Sequence, residues 1–213
     1  MPGWQIFYHE LKGKSFEIVS VAEDTGGVKD AGQWITKANP EYTVLIDQEH
    51  LVTQLYSMVN VPTAVWINER GRIVRPNEVA FVDDRFKWIS HVEAGPFLDA
   101  IRDWVAKGEA SSYVLSEQQL RERLTPSSPD RLMADAEFSL AVYLCHMGHG
   151  QDAIPHFTAA QRLAPDNWNY KRQAWLLSDP DRDYGTNFTK EVQKLNGKPY
   201  YAPRQLPGSP HQQ

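Results

Sequence analysis

The chain has 213 residues, 41% hydrophobic and 23% charged, the balance of an ordinary globular protein rather than a disordered one. Lysine and arginine total 22 against 27 aspartates and glutamates, a net charge of -5 with no basic block, which argues against nucleic acid as a partner. No apolar run approaches the roughly 18 residues of a membrane span, the N-terminus lacks the basic flank and apolar stretch of a signal peptide, and Cys145, the sole cysteine, excludes an intrachain disulfide, a two-cysteine redox motif and a zinc ribbon.

Pro2 and the spacing of Trp4, Phe7, Tyr8 and Leu11 predict a short amphipathic helix closed by Gly13. The β-branched run from Phe16 to Val21 predicts a buried strand ending in Glu23-Asp24 and a Gly26-Gly27 turn. A helix follows from Val28 to Lys37, with Val28, Ala31 and Ile35 on its inner face, and stops near Asn39-Pro40. "YTVLIDQE" reads as a short strand, and "EHLVTQLYSM" as a helix presenting Leu51, Leu55 and Met58. Pro62 has no amide hydrogen and so marks a strand start, before Thr63 to Ile67; the Gly71 turn then leads into Ile73-Val74, an antiparallel hairpin. A helix from Pro96 to Ala106 turns Phe97, Ile101 and Trp104 inward.

Strands alternating with helices, followed by a hairpin, make residues 1–108 an α/β unit with a mixed sheet. "KGEASS" is a hinge, and residues 109–180 read as an all-helical unit: "SEQQLRERL", a "TPSSPD" break, then Arg131 to Met147, capped by Ser128 or Asp130, and Ala153 to Leu163. Residues 181–213, rich in glycine and proline, read as an irregular tail.

The segments "FEIVSVAED" and "TVLIDQEHLVTQLYSMVNVPTAVWINERGRIV", above all Val61-Pro62-Thr63 ahead of a strand, resemble a thioredoxin-like domain of the TlpA/ResA type of thiol-disulfide oxidoreductase, over about residues 1–106. The resemblance implies that the Val61–Pro62 bond is cis and that Val61, Pro62 and Thr63 line a substrate groove, with the residue before the proline pairing through its backbone with an extended peptide. Taken without its context, Pro62 reads as an ordinary trans strand opener, since only about 5 to 6% of X-Pro bonds in folded proteins are cis. In that family a central strand leads into a W-C-x-x-C helix. Here Met1-Pro2-Gly3-Trp4 stands where the later part of that helix would lie, so the cysteine pair and the strand before it are missing, and Cys145 cannot replace them. The thioredoxin-like domain is in this sense N-terminally truncated. Exchange needs an attacking and a resolving thiol, so the chain reads as redox-silent. A missing central strand leaves open edges, which close up, recruit a protein or peptide partner, or pair in a homodimer; alternatively the missing segment precedes Met1.

Residues 134–167 resemble one tetratricopeptide repeat, with Ala136, Leu140, Ala141, Gly148, Ala153, Phe157, Ala160, Leu163 and Pro165 at the expected alternation of small and large positions. A lone repeat must pack on something else, here "SEQQLRERL" and "WNYKRQAWLL", and serves for docking or only for stability. Cys145, His146, His149 and His156 lie close in sequence and tempt a zinc reading, against which stand solvated histidines and a buried thiol. Glu23 and Asp24, at the carboxyl end of a strand where α/β folds bind ligands, and His9 are the acid-base candidates for a repurposed small-molecule enzyme; solvated loop charges are the alternative. No nucleotide-binding loop, nucleophile elbow or H-E-x-x-H occurs, and no cofactor is expected.

Overall fold

A computed structural model describes residues 2–124 and 126–207. In chain order the elements are α1 (Pro2–Leu11), β1 (Val19–Glu23), α2 (Val28–Ala38), β2 (Thr43–Asp47), α3 (Leu51–Leu55), β3 (Thr63–Ile67), β4 (Ile73–Val79), α4 (Lys87–Ser90) and α5 (Gly95–Lys107). After a 3-10 turn at Gly108–Ala110 come α6 (Glu117–Arg123), α7 (Pro129–His146), α8 (Gly150–Leu163), α9 (Trp168–Leu176), α10 (Pro180–Tyr184) and α11 (Phe188–Lys194). The fold is mixed α/β, and no helix among the described residues is long and apolar enough to cross a membrane.

The strands do not form the single mixed sheet that their order suggests. β1 pairs with β2 in parallel, Val21 opposite Leu45, while β3 pairs with β4 antiparallel in a separate leaf. Between β1 and β3 no strand ladder forms; each keeps one edge unpaired among the described residues. Their link runs instead through α9, where Gln173 donates to the Glu23 carbonyl at the end of β1 and Arg172 to the Val61 carbonyl just ahead of β3.

Burial corrects several expected faces. The first strand begins at Val19 rather than Phe16 and is only half-buried, because none of the three hydrophobic clusters lies on the β1–β2 leaf. In α2 only Ala31 is buried and Val28 is exposed. Leu51 and Leu55 are exposed as well, since α3 is five residues long and the chain turns at Ser57 (φ 51°), so the helical spacing that joined them to Met58 runs past the end of the helix. Thr53 takes the inner position, its hydroxyl donating to the His50 carbonyl.

The helical hairpin α7–α8 is held by Ala134, Phe138, Ala141 and Val142 against Ala153, Phe157 and Ala160, the small residues letting the helices approach. Leu140, expected among the packing positions, is exposed on α7. Ser128 is the cap of α7, accepting from the Arg131 amide, and Ser116 and Gln119 close a capping box at α6.

The segment expected to be an irregular tail departs most from its reading. Through residue 207 it forms α10 and α11 and then returns across the molecule; Gly208 and Pro210 lie outside the described residues. Tyr200 and Tyr201 join Phe81, Ala94, Trp168 and Trp175 in one cluster, and Leu206 is buried with Phe7, Leu11, Trp66 and Phe97 in another. Arg204 lies over the Phe97 ring and donates to the Val79 and Glu93 carbonyls. Burial lowers its guanidinium to about 10. Residues of all three sequence segments thus meet in these two clusters.

Candidate functional site

The Val61–Pro62 peptide bond is cis. Pro62 gives its carbonyl to the Ala80 amide beyond β4, and Thr63 donates its hydroxyl to the Asn60 carbonyl, so the loop is pinned on both sides of the bond. Val61 has no free backbone group: its amide donates to Asn60 Oδ1 at 3.0 Å, and its carbonyl accepts from Arg172 Nη2 at 3.2 Å and from Tyr201 Oη at 3.0 Å. An extended peptide pairing there would have to break these contacts. At Val61 the backbone of the expected groove, Val61, Pro62 and Thr63, is therefore occupied by bonds from α9 and Tyr201.

Beside this loop a cleft of about 420 Å³ opens between the end of β1, the start of α3 and α9, lined by Glu23, His50, Val61, Arg172, Trp175 and Phe188 among others. A cleft of this size suits a small molecule. Glu23 comes from the last position of β1. His50 stands in the left-handed region (φ 56°) just ahead of α3, its ring edge-on to Phe138 of α7 with centroids 5.2 Å apart.

A chain of hydrogen bonds sets the His50 tautomer. Gln173 Nε2 donates to the Glu23 carbonyl at 3.3 Å, which turns Gln173 Oε1 toward Thr25, whose hydroxyl donates to it at 3.1 Å. Thr25 Oγ1 has one proton and has spent it, so its 2.8 Å contact with His50 Nε2 is a bond donated by the ring. That leaves His50 Nδ1 facing Glu23 Oε2, 3.3 Å away. The two atoms are close but misaligned for a hydrogen bond, and each is buried with no partner. Burial pushes the Glu23 carboxyl above its ordinary value, the Asp47 carboxylate adding to this and the His50 and Thr53 side chains opposing it.

Thr25, His50 and Glu23 stand in the order of a hydroxyl, imidazole and carboxylate triad, yet Glu23 and His50 line the cleft while Thr25 does not and has its hydroxyl committed to Gln173. The hydroxyl therefore orients the imidazole, and Glu23 and His50 stand in the wall of the cleft with their facing atoms buried. A wider groove of about 1040 Å³ beside β4 has its main charge, Glu78, already paired with Arg75 and Arg123.

Of the other sequence candidates, Asp24 accepts from the Gly26 amide and builds the turn, and His9 sits half-exposed on α1, 3.0 Å from Glu41; neither lines the cleft. Cys145, His146, His149 and His156 are not assembled. His146 faces Glu49 at 3.3 Å, His149 faces Asp152 at 3.5 Å and His156 faces Glu137 at 2.6 Å, while Cys145 is half-buried in α7 with its thiol pushed up by burial. His146 ends α7, His149 stands in the turn ahead of α8 and His156 lies within α8, and each finds its own carboxylate. Among the described residues no three His, Cys, Asp or Glu side chains are placed to hold a metal ion.

No family model, no curated protein and no solved structure matches the chain.

Proposed function

We propose that the chain is a redox-silent protein of thiol-disulfide oxidoreductase descent, with a thioredoxin-like first half and a tetratricopeptide-like helical hairpin, in which the cis-proline face serves as a small-molecule site centred on Glu23 and His50. One observation carries this reading: the cleft of about 420 Å³ joins Val61, the residue before Pro62, to a buried carboxylate and imidazole whose facing atoms have no hydrogen-bond partner among the described residues. The order of elements from α1 to α5 supports the descent. The only thiol, Cys145, lies in α7 outside the cleft and has no second thiol to resolve a mixed disulfide. The intramolecular bonds of Val61 weigh against the peptide-pairing role that the resemblance implies, and so favour a small ligand over an extended one.

A small-molecule library screened by thermal shift tests the site. Compounds that raise the melting midpoint of the native chain and lose their effect in Glu23→Gln and His50→Gln are expected, together with background rates of insulin reduction. A screen yielding no Glu23-dependent compound removes the site, and reduction above background removes the redox-silent reading.

A second reading, recruitment of a protein partner or a second copy, is favoured by the unpaired edges of β1 and β3 and by the exposed Val19 and Leu45 on the β1–β2 leaf. Sedimentation showing a monomer across the micromolar range counts against self-pairing.

A further inference from the structure

We infer that the cleft takes a small zwitterion, a carboxylate and an amine on one apolar body, the class of the apolar α-amino acids. The inference rests on the small-molecule site proposed above and adds the identity of its ligand.

The two walls of the cleft differ in what they lack. On α9, Arg172 spends Nη2 on Asn60 Oδ1 and the Val61 carbonyl, and among the described residues no carboxylate pairs with its guanidinium. Trp175, one helical turn on, carries an indole Nε1–H that is buried with no acceptor. Positions three apart share a helix face, and both residues line the cleft, so one wall carries a fork of cationic donors and a neutral donor with no anion among the described residues. A carboxylate supplies two acceptor oxygens for this pair.

Across the cleft the deficit is reversed. Glu23 Oε2 and His50 Nδ1 are both acceptors when His50 carries its one proton on Nε2, and neither has a hydrogen-bond donor among the described residues. Two acceptors 3.3 Å apart call for a donor with more than one N–H, which an amine has and a hydroxyl does not. Leu176, Phe188 and the Trp175 ring supply the apolar surface for the body of the ligand. A dianion would set its second charge against the Glu23 carboxylate, and a diamine its second ammonium against Arg172; the site therefore selects by repulsion as well as by attraction.

The experiment is calorimetric titration of the full chain with L-phenylalanine and L-leucine, set beside 3-phenylpropionate, which lacks the amine, 2-phenylethylamine, which lacks the carboxylate, and inorganic phosphate. At least one amino acid is expected to bind, with each truncated analogue weaker by tenfold or more. Trp175→Phe keeps the ring and removes the N–H; it is expected to weaken the amino acid severalfold and to leave 2-phenylethylamine unchanged. Glu23→Gln is expected to abolish the preference for the amino acid over 3-phenylpropionate. Arg172→Lys keeps the charge, and Arg172→Gln removes it; circular dichroism identifies any variant that fails to fold, in which case Trp175→Phe carries the test of the donor wall. Equal binding of the amino acid and 3-phenylpropionate overturns the zwitterion. If other compounds bind in a Glu23-dependent way while no amino acid does, the ligand class is wrong and the site stands; if nothing binds in a Glu23-dependent way, both fall.

Discussion

Tyr201 donates its hydroxyl to the carbonyl of Val61 across 3.0 Å, so a residue near the end of the described chain closes the backbone of the cis-proline loop. Burial pushes the Tyr201 hydroxyl up to about 12. A folded-state value above the unfolded one, about 10, means that the folded chain holds this proton longer. The stabilisation is fully present below pH 10 and is lost as the pH rises through 12. Tyr201→Phe is expected to cost about 1 kcal/mol at pH 7, the worth of one hydrogen bond, since Arg172 still serves the Val61 carbonyl. It should also blunt alkaline unfolding, and urea titrations at neutral and alkaline pH measure both effects.

Glu23 carries the same sign at lower pH. Its carboxyl is raised by burial, so the folded chain binds this proton more tightly than the unfolded one. The contribution is fully present below 4.5 and declines as the pH climbs through the folded-state value. Glu23→Gln, which cannot ionise, is expected to match or exceed the native chain in stability at pH 7 while losing the ligand. A native-to-variant comparison of melting midpoints from pH 4 to 8 should show the native chain falling behind as the pH rises; parallel curves would contradict the burial of this carboxylate.

Phe138 connects the helical hairpin to the cleft. Fully buried, it stacks on Tyr170 with centroids 4.2 Å apart and meets the His50 ring edge-on at 5.2 Å. Phe138→Ala is expected to cost about 3 to 5 kcal/mol in chemical denaturation, as large-to-small core changes of this kind do. Phe138→Leu, a milder change, should keep the fold and still release the His50 ring, weakening ligand binding more than stability.

Cys145 is half-buried, and burial pushes its thiol upward, leaving little thiolate at neutral pH. Labelling by an aromatic disulfide reagent is expected to be slower in the native chain than in urea. Cys145→Ser should leave ligand binding unchanged.

The elements that the sequence reveals are those whose signal is local. Pro2 to Leu11 makes a helix burying Phe7 and Leu11, Gly71 turns a hairpin after Pro62, and Ser128 stops the backbone ahead of α7, each readable within a few neighbouring residues. Glu23 was also within reach, as a carboxylate at the carboxyl end of a strand. His50 was not, because nothing in "DQEHLV" sets it apart until Thr25 and Phe138 are folded against its ring. Arg172 and Trp175 offered a three-residue spacing on "WNYKRQAWLL", but one that an ordinary packing helix shares. The division of the sheet into two leaves depends on edges that do not meet, which no alternation of residue types encodes.

Leu206 sits between α1 and α5, packed with Phe7 and Phe97. On the ribosome the apolar side of the first helix emerges early, and the side chain that completes its covering is among the later ones made, at about 5 to 20 residues per second. Maturation of the core around α1 therefore waits for translation to reach residue 206, and during that interval the nascent polypeptide presents aromatic surface to whatever chaperones stand nearby. A premature stop codon ahead of Tyr200 would leave the core around α1 uncovered.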